Sequence, residues 1–261
     1  MKNPTTNISK INKNFKRDAG INDATIETIK LLLMQYGVSE IDKTSLSLSD
    51  RTLQYVTPSD PQQIDLFLND SFILTLNNSF EITLRNYYNH FKKYGLHFTK
   101  ITDDISWLDV VLINCNPMSS HPDLLWAKDV CDYYRLTRNY LSHGNIPKQC
   151  LNLYNKLSSS DIPDTYYEHY SKPHKIGSLD YNDYKLFSRL TKDISRWICT
   201  NPIYDYNKIL EHISINHFKQ LCNDHERFIS KIQNYIKKEF GITNINILDD
   251  LTDKILDKLA C

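Results

Sequence analysis

Residues 122–144 have the sequence PDLLWAKDVCDYYRLTRNYLSHG, which predicts one long helix. We expect it to begin near His121 and Pro122 and to end at Gly144, because proline suits the first helical turn and glycine the position after the last. Projected at about 100° per residue, this helix has two sides. The apolar side comprises Trp126, Val130, Tyr133, Leu136, Tyr140 and Leu141, and the polar side comprises Lys128, Asp132, Arg135, Arg138, Asn139, Ser142 and His143. The pattern predicts an amphipathic helix in a packed helical domain.

The end of this predicted helix carries a group of polar side chains. Residues three or four apart are neighbours on a helix, so we expect Arg135 to meet Asn139 and Asn139 to meet His143. Arg138 is expected to meet Ser142 in the same way. A histidine that titrates near neutral pH can move protons, and an arginine can stabilise a phosphate as charge builds on it. The group therefore suits metal-free cleavage of RNA; the alternative is the ordinary solvated side of an amphipathic helix, with basic residues near its C-terminal dipole.

Helical signals continue along the rest of the chain. The further predicted helices cover residues 21–36 with Asn22 or Asp23 as N-cap, 61–94 after the cap Asp60, 103–115, 179–199, and two or three helices over 205–239 and 245–259. Residues 46–56 predict a short strand or an extended linker, and the first 17 residues predict a polar, frayed start. Residues 145–178 contain several prolines and predict a long insertion, a kind of segment that is often functional or mobile. We expect an all-α fold.

Composition excludes several classes of protein. The 261 residues include 31 Lys and Arg against 31 Asp and Glu, so the net charge is zero. This balance excludes non-specific binding of nucleic acid through an overall positive charge, but it is compatible with a local basic patch. The 6 glycines are too far apart to form a glycine-rich phosphate loop. The length provides room for one large domain or two small ones with a buried core.

Neither a membrane span nor a targeting segment is visible in the sequence. A long apolar stretch, residues 107–113, is too short to cross a bilayer and contains Asp109. The first 17 residues are basic and lack the apolar segment of a secretory signal. The 6 cysteines are scattered and form no CxxC pair, which favours reduced thiols. We therefore expect a cytoplasmic protein without a membrane partner.

The segment RNYLSH, residues 138–143, is similar to the R-x4-H motif of HEPN ribonuclease domains, including a polar residue, Asn139, directly after the arginine. The longer run YYRLTRNYLSHGN resembles the end of a core HEPN helix. Further upstream, NDSFILTLNNSFEITLRNYYNHF, residues 69–91, resembles the first helix of that family. The resemblance covers about residues 62–200, although the tyrosine that one toxin subset places two residues after the histidine is Asn145 here.

The resemblance implies a specific activity. HEPN domains are small helical bundles that usually dimerise, and many are metal-independent endoribonucleases in which the 2′-hydroxyl of RNA attacks the adjacent phosphate. By position, Arg138 would hold the scissile phosphate, His143 would transfer protons, and Asn139 would orient one or the other. We add Arg135 and Ser142 as substrate-binding residues because they share the polar side of the predicted helix. No metal ligand and no cofactor are predicted.

These observations predict an all-α, HEPN-like bundle with helical extensions. Residues 1–60 would form a polar, helical N-terminal extension, residues 61–200 the HEPN-like domain with the insertion 145–178, and residues 201–261 a C-terminal helical segment. Expected partners are RNA, a second copy of the chain, which would supply a second imidazole for acid–base cleavage, and a regulatory protein. The predicted role is in defence, as a toxin or in RNA processing. The alternatives are a non-catalytic HEPN module that binds RNA or protein and a structural helical adaptor.

Three other groups of residues are candidates of lower rank. His212, His217, Cys222 and His225 suggest a zinc site, but only the last pair has a helical ligand spacing, so exposed or packed histidines are favoured. Residues 166–175 mix tyrosine, lysine and two histidines, which fits either RNA stacking or an ordered loop; these residues are Tyr166, Tyr167, His169, Tyr170, Lys172, His174 and Lys175. The acidic pairs 103–104 and 249–250 are predicted to cap helices.

Overall fold

The protein is built from helices. The computed structural model describes residues 7–36, 61–94, 105–144, 148–213, 218 and 225–260. Within them the α-helices are α1 (Ile8–Tyr36), α2 (Pro61–Lys93), α3 (Trp107–Leu112), α4 (Pro122–His143), α5 (Lys148–Ser159), α6 (Asp164–Tyr167), α7 (Tyr181–Thr200), α8 (Tyr206–His212), α9 (His225–Phe240) and α10 (Ile245–Ala260). The described residues form an isolated β-bridge between Cys115 and Pro202 but no β-strand, which confirms the predicted all-α class.

Four predicted helices are confirmed almost to the residue, namely α2, α4, α7 and α10. The end of α4 shows why local signals were sufficient. Gly144 has a φ of 80°, and its N–H donates to the carbonyl oxygen of Tyr140 at 2.7 Å. Glycine adopts this left-handed conformation without the steric cost of a Cβ, so it stops the helix where the sequence predicted.

The start of α1 differs from the prediction. The helix begins at Ile8 instead of near residue 21, and Asn7 caps it by accepting the Lys10 N–H at 2.8 Å. Ile8, Ile11 and Phe15 are buried at helical spacing within a run of lysines and asparagines. The predicted frayed start is therefore wrong for residues 8–17, because an apolar stripe of one residue per turn is enough to bury one side of a helix that is polar on average.

The predicted caps inside and beyond α1 are also corrected. Asp23 lies within α1, where its Oδ1 accepts hydrogen bonds from the Tyr184 hydroxyl at 2.6 Å and the Ser188 hydroxyl at 2.8 Å. At the other end of the chain α10 begins at Ile245, and Asn244 Oδ1 accepts the Asn246 N–H at 3.0 Å. The acidic pair 249–250 therefore lies one turn inside the helix and does not cap it.

Several further boundaries differ from the prediction. The helix predicted over 103–115 is the short helix α3, which the Ser106 side chain caps. Residues 205–239 contain α8 and α9, and the predicted insertion 145–178 contains α5 and α6. The predictions for residues 46–56, the cap Asp60 and the acidic pair 103–104 lie outside the described residues. No helix in the described ranges is both long and apolar enough to cross a bilayer.

Contacts along the chain group it into two compact units. The first unit comprises Met1–Lys16, Phe80–His121 and Lys192–Cys261, and the second comprises Arg17–Ser79 and Pro122–Thr191. Each unit therefore combines separate stretches of sequence. The division predicted at residues 60 and 200 follows continuous stretches of chain and stays a prediction.

Aromatic side chains fill the core of the first unit. Tyr94 and Phe240 are fully buried with ring centroids 4.7 Å apart, and the Tyr94 hydroxyl donates to Glu239 Oε1 at 2.7 Å. The Tyr87 hydroxyl lies 2.9 Å from Ser195 Oγ. Because these polar groups are paired, burying them does not carry the cost of an unsatisfied donor.

The core of the second unit joins α2 to α7. The rings of Phe72 and Tyr184 meet edge to face at 5.9 Å, and Asn69 Nδ2 donates to the Leu179 carbonyl oxygen at 3.2 Å. Leu179 lies two residues before the start of α7, so this hydrogen bond ties α2 to the segment that leads into α7.

Asp70 on α2 is a half-buried carboxylate whose Oδ1 has no hydrogen-bond partner among the described residues. Burial raises the pKa of Asp70 from 3.8 to about 6. The folded protein therefore binds this proton more tightly than the unfolded chain does, so the charge costs stability above about pH 6 and the cost disappears as the pH falls toward 4. We expect Asp70→Asn to raise the unfolding free energy by about 1 kcal/mol at pH 7.5, because solvent reaches this half-buried carboxylate and screens part of its charge. At pH 4 we expect the substitution to change the unfolding free energy little.

Urea denaturation at the two pH values measures this effect. The matched control is Asp161→Asn, which changes an exposed carboxylate of the same unit and is expected to alter stability little. An equal gain at pH 4 and pH 7.5 would show that the charge of Asp70 is not the cause.

Candidate functional site

Helix α4 is held along its length by other parts of the second unit. Near its start the ring of Trp126 stacks on Tyr166 with centroids 5.7 Å apart, and in its middle the ring of Tyr134 packs on Phe187 at 4.9 Å. Helix α5 packs against α4 as well. The candidate residues near the end of α4 therefore stand on a helix that packing fixes in place.

The buried side of α4 is wider than the predicted apolar side. Cys131, Tyr134 and Thr137 are buried in addition to the predicted apolar residues of the first four turns. The reason is that α5 and α7 both pack on this helix, whereas the sequence pattern indicates the width of the apolar side but not the number of neighbours.

Asp132 lies at the centre of a charge cluster on α4. It is 8% exposed, and its carboxylate pairs with Lys128 Nζ at 2.7 Å and with Arg135 Nε at 3.3 Å. The predicted meeting of Arg135 with Asn139 is thus replaced by an ion pair with Asp132, because a charged partner three residues away is the stronger acceptor. Arg135 is accordingly less available to a phosphate than the sequence suggested.

Arg138 has no acidic partner among the described residues. Its Nη1 donates to Oδ1 of Asn139 at 3.2 Å, and its Nε is shielded from solvent without a hydrogen-bond partner. Arg138 was predicted to meet Ser142, but these two described residues form no hydrogen bond with each other, and the Ser142 side chain is exposed. Arg138 therefore carries a positive charge that no described carboxylate neutralises, as an arginine that binds phosphate requires.

The contact between Arg138 and Asn139 has a directional consequence. On an ideal helix, residues five apart are separated by about 140° around the axis, whereas residues four apart are separated by about 40°. Arg138 and His143 are thus on different sides of α4, and Asn139 lies near the side of His143. The hydrogen bond to Asn139 turns the guanidinium toward the side on which His143 is placed. The backbone of His143 ends α4, and its side chain lies outside the described residues.

The spacing R-x4-H occurs a second time, in RNYYNH, residues 85–90. There the histidine belongs to the core of the first unit: His90 is 5% exposed, and its Nε2 lies 3.1 Å from the Tyr204 hydroxyl. Arg85 pairs with Glu81 at 2.5 Å and stacks over the ring of Trp107. Burial of His90 makes this second motif structural, whereas Ser142 and Gly144 at the end of α4 are exposed.

The tyrosine-rich stretch 166–175 contributes some of its side chains to packing. Tyr166 is buried against Trp126, and Lys172 Nζ donates to the Ser158 carbonyl oxygen at 2.9 Å. Tyr167 and His169 are exposed. These contacts favour the ordered loop over the RNA-stacking surface. For the candidate zinc set 212–225, the side chains lie outside the described residues.

A cluster that the sequence did not reveal lies at the start of α7. Nδ1 of His174 is 2.8 Å from Oδ2 of Asp183 and 3.6 Å from Oδ1 of Asp180. Burial alone lowers the pKa of His174, but the hydrogen bond and charge of Asp183 and the charge of Asp180 outweigh it, so the pKa is raised above its usual 6.5. The signal was hidden because His174 and Asp183 are nine residues apart and have no regular spacing.

The first unit contains an open cleft of about 460 Å³ beside the start of α10. Its lining includes Asn116, Asn201, Tyr206 and Thr243 but no charged side chain. A phosphate-binding site normally has basic side chains, so this cleft is a weaker candidate for RNA than the end of α4.

Comparisons of the whole chain with models of known protein families, with characterised proteins and with solved structures find no match.

Proposed function

We propose that the protein is a metal-independent endoribonuclease of the HEPN type, acting at the end of α4. The observation that carries the proposal is the pairing of Arg138 with Asn139, which directs a guanidinium that no described carboxylate neutralises toward the side of α4 where His143 is placed. In this reaction Arg138 neutralises the phosphate as charge develops on it. His143 transfers a proton to or from the reacting oxygens, and the 2′-hydroxyl is the nucleophile.

A symmetric dimer belongs to the proposal. Cleavage with acid–base catalysis requires one group to accept a proton and another to donate one, whereas one copy of the motif supplies one imidazole. Two copies that meet through the same surface would supply both. The phosphate would lie between the two guanidiniums and screen their repulsion.

The test is incubation of the purified protein with RNA in excess EDTA. We expect internal cleavage that leaves 2′,3′-cyclic phosphate ends, and no cleavage of an oligonucleotide whose target position carries 2′-deoxyribose, because the nucleophile is then missing. The Arg138→Ala protein, purified in the same way, controls for contaminating nucleases. Cleavage that requires a divalent metal, or that is unchanged in this variant, would contradict the proposal.

A non-catalytic module is the second candidate, and the ion pair of Arg135 with Asp132 favours it because that arginine is tied up within the helix. In that case the wild-type protein binds RNA without cutting it, and Arg138→Ala weakens binding. Measuring binding by fluorescence anisotropy with the same RNA separates the two functions.

A further inference from the structure

Three side chains with metal-binding atoms meet beside the start of α7. They are the imidazole of His174 and the carboxylates of Asp180 and Asp183, and their donor atoms lie within 4.8 Å of one another. We propose that these residues bind a divalent transition-metal ion of the zinc type and thereby tie the segment before α7 to that helix. The proposal is independent of the proposed nuclease, which uses no metal.

The donor atoms have the chemistry that zinc requires, and the two distances from His174 are close to the separation of zinc ligands. Zinc binds imidazole nitrogen and carboxylate oxygen at about 2.0–2.2 Å, and ligands in a tetrahedron of that size are about 3.3–3.5 Å apart. The distances from His174 Nδ1 are 2.8 Å to Asp183 Oδ2 and 3.6 Å to Asp180 Oδ1. These values lie on either side of the ideal separation, so small side-chain movements would admit the ion and leave a fourth position for water.

Asp183 is oriented before any ion arrives. Its Oδ1 accepts hydrogen bonds from the Tyr134 hydroxyl at 2.7 Å and from the backbone N–H of His174 at 2.9 Å. Its Oδ2 accepts one from the backbone N–H of Asp180 at 2.8 Å. Hydrogen bonds of this kind fix the orientation of ligand carboxylates in metal sites. The Tyr133 hydroxyl also donates to the carbonyl oxygen of His174 at 2.6 Å, which fixes the backbone that carries the imidazole.

Charge and access favour a cation at this position. The side chain of Asp183 is fully buried, whereas those of His174 and Asp180 are 40% and 43% exposed. Among the described residues neither carboxylate pairs with lysine or arginine. The two carboxylates give the cluster a net negative charge. One of them, Asp183, is buried, and the other side of the cluster is open to solvent. A divalent ion would neutralise the two carboxylates.

Calorimetric titration of Zn²⁺ into the metal-stripped full chain tests the proposal. We expect the wild-type protein to bind one more equivalent of Zn²⁺ than His174→Gln does. The comparison is between the two proteins because other histidines and cysteines of the chain can bind zinc elsewhere. Asp180→Asn is expected to weaken binding at this site by at least about 10-fold. Zn²⁺ should also raise the melting temperature of the wild-type protein more than that of either variant.

The matched control is His169→Gln, which removes an exposed imidazole from the same segment and should retain the wild-type stoichiometry. Asp180→Asn leaves the Asp183 carboxylate and its buried partners in place, so it provides the test if His174→Gln does not fold, as judged by circular dichroism. Identical stoichiometry and affinity in the wild-type protein and in a folded variant would overturn the proposal. A wild-type protein that binds no Zn²⁺ would do the same.

Discussion

Replacing Arg138 with alanine is expected to reduce the rate of RNA cleavage at least about 100-fold, the usual loss when one donor to a developing negative charge is removed. Arg138 is the arginine of the α4 polar side that pairs with an amide, through Nη1 and Asn139 at 3.2 Å, whereas Arg135 pairs with a carboxylate. Its charge is therefore available to a phosphate. The expected loss lies in kcat, because the interaction strengthens as charge builds on the phosphate.

Three further variants sharpen this measurement. Arg138→Lys should recover little activity, because an ammonium cannot hold Asn139 and a phosphate with one planar fork. Arg135→Ala should lower activity less than Arg138→Ala does, because Asp132 already neutralises that charge. Arg85→Ala is the matched control, since it alters the arginine of the second R-x4-H sequence, whose histidine is buried. Equal losses in Arg85→Ala and Arg138→Ala, in proteins of equal melting temperature, would contradict the assignment to α4.

Gly241→Ala is expected to lower the unfolding free energy by at least about 3 kcal/mol. Gly241 follows α9 with a φ of 70°, a conformation that side chains rarely adopt. A Cβ at this position would lie 1.9 Å from the carbonyl oxygen of Cys199 on α7. Both atoms belong to the first unit, and the clash is with backbone, so no side-chain rotation relieves it.

Two glycines separate the causes of this loss, with urea denaturation as the measurement. Gly177 has a φ of 86° but nothing within 4 Å of an added Cβ, so Gly177→Ala should cost about 1 kcal/mol from backbone strain alone. Gly20 lies inside α1 with open space around it, so Gly20→Ala should raise the unfolding free energy by about 0.5–1 kcal/mol. If Gly241→Ala costs no more than Gly177→Ala, the close approach to Cys199 is not present in solution.

Helices with strong boundary signals were predictable because the signals lie next to the helix in sequence. Pro61 begins α2, Pro122 begins α4, and Gly144 ends it. The start of α1 was missed because its apolar stripe, Ile8, Ile11 and Phe15, is diluted by polar residues. Periodicity identifies a helix reliably when the apolar side is broad, and less so when it is one residue wide.

Within the candidate site, the placement of Arg138, Asn139 and His143 at the end of one helix followed from composition and spacing along α4. Which side chains pair there did not. Asp132 accepts a hydrogen bond from Arg135, and Asn139 accepts one from Arg138, because charge and side-chain rotamers decide among several neighbours within reach. Likewise, the two R-x4-H sequences look alike as strings, and burial of His90 separates them.

Local information in the chain was thus enough to establish the all-α class, the span of α4 and the motif at its end, since caps and periodicity act between residues a few positions apart. Folding in three dimensions was needed to bring His174 to Asp183, to place Gly241 against Cys199 and to bury His90. Such contacts join distant or irregularly spaced residues, and no repeat along the sequence encodes them. They arise from the way separate helices pack, where shape and the pairing of buried polar groups select one arrangement.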